Sequence, residues 1–304
     1  MNLNQHQFNG RCIAILGTGW LGQHIARQAL GMGMEVSTLT RNPETSAVLK
    51  GMGVQHAITA QIQDNTWHRQ LNREQDYVVN CVSAGGRGLE GYRQSYLEGN
   101  RSILEWAGPE HPARFAYTSS TSVYPQTDGR SVDESSPTGN ASEAGKILLE
   151  AESLVLEHTS FAQATVLRLA GLYGPDRHYL LNLLRDGATE FPGRGDLLLN
   201  LLRLEDAASA VFAALQDSAG RETYNVTDGS PVEKQTLVNW LANQLDRPPP
   251  EFNPDKQPTR SPIRRTSGSI PSRRIDTSKI RDALGWKPAF PDFRTGYKDL
   301  VRAG

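Results

Sequence analysis

Six residues near the start of the chain, Gly17-Thr18-Gly19-Trp20-Leu21-Gly22, have the types and spacing to hold a phosphate. In a G-x-G-x-x-G turn between a strand and a helix, one glycine permits the tight turn. A second lets backbone approach a pyrophosphate, and a third lets helix and strand pack closely. The helix start adds free N–H groups and the positive end of the helix dipole. The ligand this implies is a dinucleotide cofactor; the alternative is a plain glycine-rich turn. The tip of the next strand, Leu39-Thr40-Arg41-Asn42, has no carboxylate before Glu44. An acid there suits the ribose 2′-hydroxyl of NAD and an arginine suits a 2′-phosphate. Thr40 and Arg41 therefore favour NADP over NAD, unless Arg41 is only a solvated loop residue.

Such a loop needs a parallel sheet to position it. Short apolar runs at Arg11–Leu16, Glu35–Leu39, Val54–Thr59, Tyr77–Val82, Arg114–Thr118 and Ala164–Leu169 read as strands. Helical spacing separates them: Leu21, Ile25, Ala26, Ala29 and Leu30 in one segment, Tyr92–Ala107 in another, Glu143–His158 in a third. Strand–helix alternation of this kind predicts an α/β protein, a Rossmann doubly wound parallel sheet with helices on both faces. Cys81, Val82 and Ser83 follow the fourth strand, where the chain should pass beneath the cofactor, before a glycine-rich break at Gly85, Gly86 and Gly88. The second half adds helices at Asp206–Leu215 and Lys234–Leu245 and a strand at Thr223–Val226. From Arg247 to Arg274 it is rich in Pro, Arg and Ser, and reads as a long loop. The expected division is a Rossmann core over 10–175, rejoined by 200–226, and a smaller C-terminal α/β substrate lobe from 176–199 and 227–304.

Longer motifs carry a family resemblance. Phe115-Ala116-Tyr117-Thr118-Ser119-Ser120-Thr121-Ser122-Val123-Tyr124 resembles the strand-and-turn signature of extended short-chain dehydrogenases/reductases, the NAD-dependent epimerase/dehydratase family. Leu167-Arg168-Leu169-Ala170-Gly171-Leu172-Tyr173-Gly174-Pro175, Asn200–Asp206, Tyr224-Asn225-Val226 and Asp276–Pro288 resemble its later motifs, in order. The resemblance implies that Ser120 hydrogen-bonds the reacting oxygen and that backbone at Gly171 borders the nicotinamide. Gln61 and Asp64 align with an adenine-contacting segment. The family's catalytic Tyr-x-x-x-Lys is incomplete. Lys146, in Ser142-Glu143-Ala144-Gly145-Lys146, stands for the lysine that holds the nicotinamide ribose. Ser142 stands for the tyrosine that transfers a proton, and its hydroxyl is shorter and far less acidic. This combination is similar to the atypical, YeeZ-like subgroup, with an intact cofactor loop and an altered active site.

Other side chains could border a substrate: Tyr124 and Tyr173 within motifs, Arg177 and His178 just after one, and Arg203 with Arg260, Arg264, Arg265, Arg273 and Arg274 as a loose basic set. His178 with Arg177 could bind an anionic substrate, and guanidinium suits phosphate; a solvated loop explains these residues equally well. Two functions follow: an NAD(P)-dependent oxidoreductase or epimerase-like enzyme on a small hydroxyl or carbonyl compound, or a non-catalytic NADP-binding sensor. A hydroxyacid dehydrogenase with the same glycine opening predicts a more helical second half. The net charge of −1 asks for neither nucleic acid nor a membrane surface. The two cysteines lie in apolar runs, the seven histidines form no metal-ligand spacing, and no apolar run approaches a membrane span. The polar start, Met1–Gly10, does not read as a secretory signal. The expectation is a cytoplasmic protein without metal, a monomer or homodimer whose partner is a small molecule.

Overall fold

Seven parallel strands form the central sheet of the computed structural model, which describes residues 5–84, 88–217, 220–256 and 270–302. They are β1 (Cys12–Leu16), β2 (Glu35–Thr40), β3 (His56–Thr59), β4 (Tyr77–Asn80), β5 (His111–Ser120), β6 (Phe161–Leu169) and β7 (Arg221–Val226). Their spatial order is β7-β6-β5-β4-β1-β2-β3, and every pairing is parallel. β1 lies between β4 and β2, so the winding direction reverses at the first strand. The crevice beyond the carboxyl ends at such a switch point is where open α/β sheets bind ligands.

Helices cover both faces. They are α1 (Trp20–Gly31), α2 (Pro43–Gly51), α3 (Gly88–Tyr92), α4 (Gly99–Ala107), α5 (Glu143–Glu157), α6 (Tyr179–Arg185), α7 (Leu204–Gln216), α8 (Lys234–Gln244), α9 (Ser278–Leu284) and α10 (Phe293–Arg302). A π-helical stretch, Arg93–Glu98, joins α3 to α4. Ile13, Ile15, Ile25, Leu167, Val211 and Phe212 build the core under α1 and α7. Leu16, Val78, Ile103, Phe115, Ile147 and Val166 build the other, under α4 and α5. Strands buried on both faces read as continuous apolar runs, as β1 and β4 do. A third cluster, with Leu181, Phe191, Leu237, Leu241 and Phe293, lies under α6, α8 and α10. Ile280 of α9 and Trp286 pack back onto the core beneath α7, where the indole N–H of Trp286 donates to Ser209 Oγ at 2.9 Å.

Several elements exceed their expected bounds. β5 extends three residues before Arg114 and two after Thr118. α2 has no counterpart in the expected elements, although Asn42 caps it by accepting from Glu44 N at 2.8 Å and Pro43 opens it. Within Arg247–Arg274, Glu251–Asn253 pairs with Glu190–Pro192.

A buried ion pair ties the sheet to α5. Arg168 of β6 grips Glu152 with Nη2–Oε2 at 2.7 Å, and both side chains are almost fully buried. Ser119 Oγ donates to the same carboxylate, and Arg168 donates to the Tyr124 hydroxyl at 2.8 Å. Such a pair adds little beyond its desolvation cost when intact, but removing one partner costs about 3–5 kcal/mol. The outer edge of β7 is covered. Asn225 N donates to Glu134 Oε1 at 2.6 Å, and Asn225 O accepts from Thr277 Oγ1 at 2.9 Å. Thr223 O accepts from Lys279 Nζ at 3.0 Å. Among the described residues, no helix is long and apolar enough to cross a membrane, and no His, Cys, Asp and Glu side chains gather as a metal site.

Candidate cofactor cleft

The loop after β1 is built around three different demands on its glycines. Gly17 has φ +93°, and a Cβ there would lie 2.6 Å from Val82 Cα. At Gly22 a Cβ would collide with the carbonyl oxygen of Gly17 and meet Cys81 Sγ at 3.1 Å. Gly19 faces open space. Two glycines thus close the loop against the end of β4, and the third leaves room above it. Gly17 N and Thr18 N both donate to Leu39 O, at 2.9 and 3.3 Å, and the buried Thr18 hydroxyl reaches the same oxygen. The loop is pinned to the end of β2.

Gly19 is the N-cap of α1 and brings no side-chain acceptor, and no acidic residue stands in the first turn. The N–H groups that every helix start leaves unmatched therefore have no side-chain cap. Such a helix start offers N–H donors to an anion. Beneath it, the Cys81 thiol donates to Gly17 O at 3.1 Å, and burial pushes its pKa up to about 12. It is a packing thiol, not a nucleophile. At the tip of β2, Thr40 is buried and its hydroxyl accepts from Asn42 N at 3.3 Å. Arg41 is exposed, with no ion pair among the described residues. Ser83 is exposed beside Val82; Gln61 and Asp64 are exposed beyond β3.

Two buried asparagines that the sequence reading passed over hold the end of β4. Asn80 Nδ2 donates to Asn100 Oδ1 at 2.8 Å, and Asn100 donates to Tyr96 O at 2.8 Å. Asn80 Oδ1 accepts from Val82 N at 3.1 Å. The π-helical stretch before α4 places the Tyr96 carbonyl, and such stretches cluster at functional sites. The available signal was an asparagine closing an apolar run, Tyr77-Val78-Val79-Asn80.

Ser120 ends β5, half-buried, at the carboxyl edge of the sheet. Its Oγ accepts from Ser122 N at 3.2 Å. It closes a turn, and that bond leaves its hydroxyl hydrogen available. Gly171 N donates to Asn200 O at 3.0 Å.

The other expected site residues are placed differently. Ser142 is the N-cap of α5, its Oγ accepting from Gly145 N at 3.2 Å. Lys146 is exposed and pairs with Glu143 at 2.7 Å. The inward stripe of α5 is Ala144, Ile147, Leu148, Ala151 and Glu152. Two residues separate Lys146 from Ala144 and from Leu148, which is about 200° around the helix. Tyr124 is fully buried, its hydroxyl bound by Asn225 Oδ1 and Arg168, both at 2.8 Å, so it borders no cleft. Tyr173 is buried, stacked on Tyr297 at 4.5 Å, and its phenol is pushed up by burial. Arg203 is also buried. It grips Asp299 at 2.6 Å, Glu205 at 3.0 Å and the Gly296 carbonyl, and lies 4.1 Å over the Phe290 ring; it fastens α10 and does not face a substrate. Arg260, Arg264 and Arg265 lie outside the described residues. Arg273 is buried against Thr121 O, and Arg274 binds the Gly129 carbonyl. Arg177 is exposed and His178 half-exposed.

A glycine loop feeding an uncapped helix, at the switch point of a doubly wound parallel sheet, defines a nucleotide-binding Rossmann protein. The chain belongs to the NAD-dependent epimerase/dehydratase family, whose signature matches residues 13–227. It is 27% identical to Protein YeeZ of Escherichia coli (strain K12) over 291 residues, 92% of this chain and 96% of that protein. It is 26% identical to the dTDP-6-deoxy-L-talose 4-dehydrogenase (NAD(P)(+)) of Kitasatospora kifunensis, over 93% of this chain and 92% of the relative. In fold it is similar to DesIV, a dTDP-glucose 4,6-dehydratase from Streptomyces venezuelae solved with NAD bound. The TM-score is 0.80 at 20% identity, with 96% of each chain covered.

Proposed function

We propose that this chain binds NADP in preference to NAD and uses it to oxidise or reduce a small hydroxyl or carbonyl compound in the cytoplasm, a nucleotide sugar being the leading class. The observation that carries the reading is the uncapped start of α1 above three glycines, two closed against β4 and one open. Arg41, exposed at the tip of β2 where a carboxylate would hold a 2′-hydroxyl, supports the 2′-phosphate. The dehydrogenase and the dehydratase among the relatives are named for nucleotide-sugar substrates, which supports that class. The nicotinamide supplies hydride transfer when bound. Gly17, Gly19, Gly22 and the first turn of α1 hold the pyrophosphate. Ser120 would hydrogen-bond the substrate oxygen through its hydroxyl hydrogen, with the proton that accompanies the hydride exchanged with solvent, and the backbone at Gly171 would border the nicotinamide.

A second reading has its own support. Ser142, which stands for the family's tyrosine, is the N-cap of α5, and the phenols of Tyr124 and Tyr173 are buried. A protein built this way suits a sensor that binds the cofactor without turning it over. Calorimetric titration of NAD and NADP, followed by a turnover screen over nucleotide sugars and simple carbonyls, separates the two. NADP should bind tighter, and Arg41→Ala should weaken NADP about tenfold, as expected for one charge-assisted contact, while leaving NAD unchanged. Ser120→Ala should abolish any turnover. Tighter NAD binding reverses the cofactor choice, and tight binding with no turnover anywhere favours the sensor.

A further inference from the structure

The turn that leaves the sheet after β6 comes back to the phosphate loop. Gly174 and Arg177 exchange backbone hydrogen bonds at 3.3 and 3.1 Å around Pro175 and Asp176, and Asp176 has φ +63°. This tight turn rests on Trp20, the first residue of α1. A Cβ at Gly174 would lie 3.3 Å from the Trp20 ring and 3.2 Å from Leu204 Cβ, so a larger residue would push the turn and the ring apart by a few tenths of an ångström. On the outer side, the Arg177 guanidinium sits 5.3 Å from the centroid of the same ring. Trp20 is thus held between the backbone of one turn residue and the cation of another.

Arg177 differs from four other arginines that follow β6. Arg185 and Arg247 bind helix-end carbonyls, Arg194 pairs with Asp196, and Arg203 with Asp299. Arg177 is exposed and makes no ion pair among the described residues. Its ring partner Trp20 is the first residue of α1, a helix start whose N–H groups lack a side-chain cap. Stacking on Trp20 limits the rotamers of a long side chain and so lowers the entropy lost when an anion binds.

We infer that Arg177, aimed by Trp20, is a clasp for the pyrophosphate of the dinucleotide, reaching from the turn toward the lobe onto the cofactor loop. The inference rests on the proposed cofactor. It assigns Arg177 to the cofactor and not to the substrate, and it makes Trp20 a positioning residue. Occupancy of the cofactor would then fix the 174–178 turn that opens toward the substrate lobe.

The test titrates NAD and NADP into wild type, Arg177→Ala, Arg177→Lys and Trp20→Phe, at low and at high salt. Arg177→Ala should weaken both cofactors by the same factor, about tenfold or more, and should flatten the salt dependence of binding. Arg177→Lys should recover part of the loss. Trp20→Phe should weaken both cofactors less than Arg177→Ala. The melting temperature of the cofactor-free variants should stay at the wild-type value, which separates lost contact from lost fold. Unchanged cofactor affinity in Arg177→Ala overturns the clasp while leaving the cofactor reading intact. Weakening of NADP alone also overturns it, because a pyrophosphate contact treats both cofactors alike. A wild type that binds neither cofactor overturns the cofactor reading, and the clasp with it.

Discussion

Asp228 lies in the turn after β7 and is 1% exposed. Its Oδ1 accepts from Ser230 N at 2.9 Å, while Oδ2 is buried with no hydrogen-bond partner among the described residues. Burial, reinforced by Asp292 and Asp206 nearby, raises its pKa to about 7. The folded protein therefore holds this proton above the pH at which the unfolded chain releases it. Its contribution to stability is greatest below the ordinary carboxylate range and is lost as pH rises from about 4 to 7. Asp228→Asn keeps the acceptor for Ser230 and removes the titration, so its melting temperature should exceed that of wild type at pH 8 and approach it at pH 4.5. Equal melting temperatures at pH 8 would show that the wild-type acid is not destabilising there. The residue scale is also where the sequence misleads most. Arg203 and Arg177 look alike in the chain, both in or beside a motif. One is buried on Asp299 and Glu205, and the other is exposed on Trp20. Which acid lies opposite an arginine depends on segments nearly a hundred residues away, and no local spacing encodes that.

At the scale of the element, α5 shows both what a pattern conveys and where it stops. The apolar spacing of Ala144, Ile147, Leu148, Ala151 and Val155 marks the buried face, and these residues are inside. The same periodicity puts Lys146 on the solvent side of α5, paired with Glu143, where burial alone does not say whether it reaches a ligand. Ser142 illustrates the alternative use of a hydroxyl, at a helix start. Ser142→Ala should cost about 1 kcal/mol of stability and leave cofactor affinity unchanged, and Lys146→Ala should leave both unchanged. Denaturant unfolding and cofactor titration check these outcomes. A fall in cofactor affinity for Lys146→Ala would return that lysine to the cleft. α2 was legible and overlooked, since Asn42, Pro43 and Glu44 are strong start signals; its nine residues carry only two buried side chains, Ser46 and Leu49.

At the scale of the molecule, the strand order was legible because alternation and handedness leave a parallel sheet few ways to wind. Much of the second half outside β7 was not, because its other strands are two or three residues long and join distant segments. Glu190–Pro192 pairs with Glu251–Asn253, and Ser131–Val132 with Arg274–Ile275. Pairings that short have no period to read. The covered side of β7 carries a further consequence. A terminal strand with free donors and acceptors is a template on which another chain can add itself, and the fibrillar aggregates of many proteins begin there. Glu134, Thr277 and Lys279 occupy those groups along β7. The double substitution Glu134→Ala with Lys279→Ala should leave cofactor affinity intact while shortening the lag before thioflavin-positive aggregates form on gentle heating. An unchanged lag would show that something else guards this strand. If the lag shortens, the three side chains that finish the fold on this flank also set how long concentrated solutions of the protein stay clear.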